Sequence, residues 1–264
     1  MNHDRLSQEG ASFLRAAGIG AKLLVALLGF TAIVWYSNVL GPIRLAAAVT
    51  GISDRILENE RFKSEVLLST LSRADSAAES DRKISSVSRA RTVVLLSLAE
   101  DALKLSSAGG DIDNSLEAPE NALRLSLELN PSDSFLWLMM YSLKNLREGF
   151  DPRHIPFLDR SYTTGPLEGW VALRRNRLAL LVFPALSDQT RELVIAEFAG
   201  LVSAKFIEEA ASNLTTVGWP YRNEVLPALH DVDIAQREAL AYRVGREGLK
   251  APIPGVSFDD RPWR

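Results

Sequence analysis

Cysteine does not occur in this chain. Its absence excludes disulfides, thiolate metal sites and a cysteine nucleophile together, while leaving the compartment open, because a periplasmic domain need not contain cysteine. Histidine is nearly as scarce. His3, His154 and His230 fall in three separate regions, so no HExxH or other paired-ligand spacing exists. There is no G-x-x-x-x-G-K-[ST] phosphate loop, no G-x-G-x-x-G turn and no G-x-S-x-G elbow. The sequence therefore nominates no catalytic residue, no cofactor and no metal; a Ser-His-Asp set brought together by folding stays open. A concentrated basic face is missing too. The formal net charge is -3, and residues 1–50 carry four basic and two acidic side chains, a net of +2 that leaves -5 for the remainder. A mildly acidic body is not built for nucleic acid, whose phosphates require clustered cations. Sustained alternation of apolar and polar residues is also lacking, so strands are not expected and the fold class reads as all-α.

What the chain does have is one long uncharged run. Leu23 to Ile43, LLVALLGFTAIVWYSNVLGPI, lies between Lys22 and Arg44. A bilayer core takes about 20 such residues as a helix, so 23–43 is expected to be a single membrane-crossing anchor. Trp35 and Tyr36 sit toward its far end, where interfacial aromatics belong. Pro42 would tilt or end the helix, and Asn38 suits either the interface or a bond to a neighbouring helix. A cleaved signal peptide is the competing reading. Ala46 and Ala48 form an A-x-A pattern, but the run is longer than the usual apolar region of such peptides. A short basic N-terminus before a first anchor favours residues 1–22 inside the cytoplasm and the body outside, in the periplasm of a Gram-negative cell.

The whole sequence is 47% apolar and 24% charged, ordinary for a globular chain. Residues 44–82 read as a juxtamembrane helix or stalk, with helix expected over 54–74. Residues 83–250 read as the helical body and 251–264 as an extended, proline-rich tail. Within the body, a helix is expected from Lys83 to Ser106, stopped at Ala108-Gly109-Gly110. Asp111, Asp113 and Asn114 resemble the start of a calcium loop, but the later acidic ligand and the glycine are missing, so a turn is expected there. Pro119 should open a helix to Leu129. Ser132 or Asp133 should cap a second from Ser134 to Leu146. A short helix follows over 150–160. Another starts at Gly165-Pro166 and stops at Pro184, and one capped by Ser187 or Asp188 runs through Ser212. A turn around Gly218 and Pro220 precedes short helices near Glu224–His230 and Ile234–Gly248.

Trp137 and Trp170 stand 33 residues apart, each with an apolar residue three positions on, and the turn LNP precedes Trp137. This resembles the join between two tetratricopeptide units, in which the tryptophan fills the groove between paired helices. Tyr141 and Arg174 replace the small residue expected four places later, so a degenerate stack of helical hairpins is expected.

One segment, GPLEGWVALRRNR at 165–177, stands out as a candidate binding face. At 100° per residue Trp170, Arg174, Arg177 and Leu181 share one side of a helix, and Glu168 and Arg175 the other. An aromatic ring beside two guanidinium groups suits a sugar ring or an anionic saccharide. The plainer alternative is a core tryptophan with arginines paired to Glu192 or Glu197 on the next helix. Trp219-Pro220-Tyr221-Arg222 is a second aromatic–basic cluster that packing in a turn explains equally well.

The stretch from Asn121 to Leu186, NALRLSLELNPSDSFLWL followed by GPLEGWVALRRNRLALLVFPAL, resembles the VpsP type of polysaccharide biosynthesis accessory protein, a small membrane-anchored protein of bacterial exopolysaccharide clusters. The resemblance implies a non-enzymatic adaptor, anchored in the bacterial inner membrane, that makes protein–protein contacts with polysaccharide polymerase or export partners. It carries no catalytic motif, so no residue role transfers. The alternatives are a periplasmic enzyme acting on polysaccharide and a general cell-envelope scaffold.

Overall fold

The computed structural model describes residues 22, 25–36, 47–58, 60–75, 84–105, 112–166 and 168–257. Among the described residues every regular element is helical and none is a strand. This agrees with a sequence poor in alternating patterns.

Helix α1 covers residues 25–36, and all twelve of its residues are exposed, Phe30, Ile33 and Trp35 among them. No helix of the described residues is long and apolar enough to cross a membrane. The membrane-crossing helix expected over 23–43 thus has no counterpart among them; residues 23, 24 and 37–43 of that span, and the segment 1–21 before it, lie outside the described residues.

The chain divides into two compact units between Leu98 and Ala99. In the first, α2 (residues 47–57), α3 (Ser64–Asp75) and the leading part of α4 (Ser85–Leu105) pack together. The helix expected over 54–74 is not continuous: residue 58 is a turn and residues 60–63 are not helical. Leu67, Leu71 and Val94 form the centre, with Ile52, Ile56, Phe62, Leu95 and Leu98 against it. Val49, Ala74 and Ala90 make a second, tighter contact. Arg91 donates through Nε to Asp75 at 2.8 Å, tying the end of α3 to α4.

The second unit continues with α5 (Ile112–Leu129) and α6 (Ser134–Glu148). Helix α5 starts seven residues before Pro119, and the turn expected at Asp113 and Asn114 is its first turn. A proline inside a helix forfeits one backbone bond, here to the Ser115 carbonyl. The helix continues through it because Leu116, Pro119, Glu120 and Leu123 share a single buried face at spacings of three and four. Asp133 caps α6 by accepting from the Leu136 N–H at 3.1 Å, and Gly149, at φ 75, ends it.

A 3-10 turn over Pro152–His154 leads into α7 (Ile155–Thr164), then α8 (Gly169–Leu181) and α9 (Asp188–Ser203), the last capped by Ser187 Oγ. The long helix expected to run on to Ser212 breaks at Ala204, and α10 (Ile207–Asn213) starts anew. The break is a left-handed cap. The Phe206 N–H reaches Leu201 O and the Lys205 N–H reaches Val202 O, both at 3.0 Å, with Lys205 at φ 68. Residues 214–218 form a π turn, and short helical turns lead through α11 (Arg222–Val225) to α12 (Ile234–Gly245). Neighbouring helices pair in the orders α5 with α6, α6 with α7, α8 with α9 and α10 with α12. The described part of the tail is anchored rather than loose: Ala251 and Ile253 are buried, and Arg237 Nη1 donates to Pro254 O at 2.6 Å.

Candidate functional site

The two arginines flanking position 175 and Arg175 itself have opposite fates, as the 100° rotation predicts. Trp170 lies in the first turn of α8 and is 38% exposed. Its ring leans on Phe135, with centroids 4.8 Å apart. Arg174 is half-buried and donates through Nη1 to the Trp170 carbonyl at 3.2 Å; Arg177 is exposed. Trp170 is therefore a surface aromatic, not the core residue of the plainer expectation. Trp137 behaves differently. It is half-buried, stacks on Phe157 of α7 with the rings 16° apart in plane, and donates from Nε1 to Pro131 O at 2.8 Å.

The opposite side of α8 faces inward. Val171, Ala172, Arg175, Asn176, Ala179 and Leu180 are all buried, and Arg175 is wholly so. Its Nε donates to Glu197 Oε2 at 3.0 Å and its Nη2 to the same oxygen. Nη1 donates to Ser161 O at 2.5 Å and to Ser161 Oγ at 3.1 Å, and Nη2 also reaches Gly165 O at 3.1 Å. All five N–H groups of the guanidinium are used, as a fully buried charge requires. The guanidinium carbon lies 4.0 Å from the Tyr162 ring centroid, and the Tyr162 hydroxyl donates to Glu197 Oε1 at 2.8 Å. Burial pushes the Tyr162 phenol well above its ordinary range, and the Glu197 charge adds to this. Glu197 thus pairs with Arg175, on the side of α8 opposite Trp170, and not with Arg174 or Arg177 as the plainer expectation had it, while Glu192 stays exposed. Asn176 extends the polar seam, donating to Val194 O at 3.1 Å and accepting from Asn213 at 3.3 Å. This seam binds α7, α8 and α9 to one another and offers no free group to a ligand.

A second charge cluster surrounds Glu120. Arg124 Nη2, Lys144 Nζ and Arg147 Nη1 approach its carboxylate at 2.6, 2.9 and 2.9 Å. Burial pushes this carboxyl up, but the hydrogen bonds from Arg124, Lys144 and Arg147 prevail and hold it at about 2. Lys144 also pairs with Glu148 at 3.0 Å. His154 is buried between Asn145 Oδ1 and Glu148 Oε2, each 3.3 Å from a ring nitrogen. The Arg222 guanidinium lies 5.0 Å from the Trp219 ring and donates to the Trp219 carbonyl, so that second cluster is turn packing.

A groove of about 630 Å³, unmarked by any local sequence pattern, lies between α6 and the end of α8. One wall is Tyr141, Ser142, Asn145, Leu146 and Phe150; the other is Leu178, Leu181 and Val182, with Pro184, Ala185 and Tyr221 closing it. Leu146, Phe150 and Leu181 are 58%, 57% and 61% exposed. A smaller cleft of about 310 Å³ lies beside Trp137 and Phe157, with Arg124 and Glu128 at its edge.

No family model, no curated protein and no solved structure matches this chain.

Proposed function

We propose that the protein is a membrane-anchored, non-enzymatic adaptor in bacterial exopolysaccharide biosynthesis or export. Its tetratricopeptide-like body stands in the periplasm and contacts proteins of the polymerase or export machinery. The observation that carries this reading is Trp170, a tryptophan at the surface, braced from behind by Phe135 and flanked by Arg174 and Arg177. Tryptophan and arginine are the residues that most often dominate binding energy at protein interfaces, and bracing lowers the ordering cost of binding. Helix α1, apolar and exposed throughout, supports an anchor built on the uncharged run that contains it.

The test is a paired substitution, Trp170→Ala and Arg177→Glu, in the full chain. Loss of a central anchor costs about 2 kcal/mol or more, so capture of envelope partners by crosslinking is expected to fall about 30-fold with helix content unchanged. Unchanged capture and unchanged polysaccharide output would refute the proposed face. Turnover of isolated glycan by the purified chain would refute the adaptor role.

A further inference from the structure

We infer that the partner of the Trp170 face is an acidic protein segment, one that lays an apolar side chain on Trp170 and sets a carboxylate on Arg177. The inference rests on the adaptor reading for the face and adds the chemistry of what docks there.

Helix α8 contains three arginines and no acid. Arg175 is neutralised inside the body by Glu197. Arg174 and Arg177 stay on the Trp170 side, where Arg174 donates to the Trp170 carbonyl and Arg177 is exposed. The residues three and four positions from Arg177 are Leu173, Arg174, Leu180 and Leu181, so no carboxylate of α8 lies beside it. Glu168, just before the helix, accepts from Ser134 Oγ. Arg177 has no ion pair among the described residues. Cations on other helices of this unit are matched within the fold. Lys144 and Arg147 meet Glu120, Arg191 meets Asp188, and Arg243 meets Glu208 and Glu247.

Two like charges three residues apart on a helix repel, and an incoming carboxylate relieves that repulsion. A guanidinium also presents a planar fork that a carboxylate meets with two parallel hydrogen bonds. The rest of the chain sharpens the choice. The net charge of -3 includes +2 from residues 1–50, so the remainder carries -5. An acidic partner is therefore repelled over most of the body and admitted at this acid-free helix. Such like-charge repulsion elsewhere fixes register and rejects wrong contacts. Trp170 and Arg177 are seven residues apart, about 10 Å along the helix axis. A segment that reaches both spans about two turns of helix or about three residues of extended chain.

The experiment places the photocrosslinking amino acid p-benzoylphenylalanine at Leu181, exposed on the same side of α8, in the full chain and in cells that express it. Crosslinked partner peptides are mapped by mass spectrometry. They are expected to be protein segments with a clear excess of Asp and Glu over Lys and Arg. Arg177→Glu should lower the yield about tenfold, and Arg177→Lys much less, with helix content unchanged. Replacing the carboxylates of the mapped segment by lysine, one at a time, should restore capture by Arg177→Glu. Mapped segments that are neutral or basic would overturn the inference, as would an undiminished yield with Arg177→Glu or the lack of any restoring partner substitution. Each of these leaves the adaptor reading in place. No protein crosslink from the chain bearing only the crosslinker, or crosslinks to glycan alone, would remove both.

Discussion

Arg175 illustrates how much one side chain can hold and how little that says about net stability. Its pairing with Glu197 is completely dehydrated, and such pairs only roughly offset the cost of leaving water. Removing one partner strands the other. Arg175→Met is therefore expected to destabilise the second unit by about 3–5 kcal/mol, measured by thermal or urea unfolding. Arg175→Met combined with Glu197→Leu should recover part of the loss, but not all, since Gly165 O would still lack the donor it takes from Arg175 and the Tyr162 hydroxyl would lose its acceptor. Gly165 is a second sensitive point. A Cβ there would stand 2.6 Å from Ser134 Cβ and Oγ, so Gly165→Ala should cost about 1–3 kcal/mol through overpacking. Glu120 makes a pH prediction. Its carboxyl is held at about 2 in the fold, against an ordinary 4.5. The folded state thus binds the proton more weakly than the unfolded chain, and the contribution is complete above about pH 4.5 and lost as pH falls toward 2. The size is about 3 kcal/mol by linkage, reduced to about 2 by solvent around Arg124 and Arg147. Glu120→Gln should remove that acid-sensitive part of a stability-versus-pH curve; an unchanged acid limb would refute the assignment.

At the scale of single helices, end signals were the most legible part of the sequence. Asp133 and Ser187 cap α6 and α9 as their side-chain chemistry predicts, because an N-cap needs only a short acceptor in the right place. The break after α9 was illegible for a converse reason. A left-handed cap is normally marked by glycine, and here the position is Lys205. A lysine in that conformation costs about 1–2 kcal/mol against the right-handed alternative. Lys205→Gly should therefore raise the melting temperature, with a gain of about 1 kcal/mol; a loss would mean the lysine side chain contributes more than its backbone strain. Pro119 misled in the same way, since a helix start is its usual place and only the inward alignment with Leu116, Glu120 and Leu123 carries the helix through it. The rotation of α8 separated the side holding Arg175 from the side holding Trp170 and Arg174. Which side lies inward depended on Glu197, 22 residues away, and on Ser161 from another helix. The groove was hidden altogether, because its walls come from residues 141–150, 178–185 and 221. Local periodicity carries no record of such distant neighbours.

For the molecule as a whole, the exposed helix α1 sets an expectation for where the chain resides. Under the proposed anchoring, the full chain should sediment with membranes through an alkaline carbonate wash, and removal of residues 1–43 should release it; release of the intact chain by the wash would count against an anchor. The second unit carries a further implication through the guanidinium at position 175, which takes acceptors from α7, from the turn after it and from α9 while belonging to α8. Peeling away any of these segments would leave a bare ion inside an oily interior. Partial openings of that region are thus strongly penalised, and slow deuterium uptake should be shared by the amides of all three helices, with their protection lost together in a single all-or-none event.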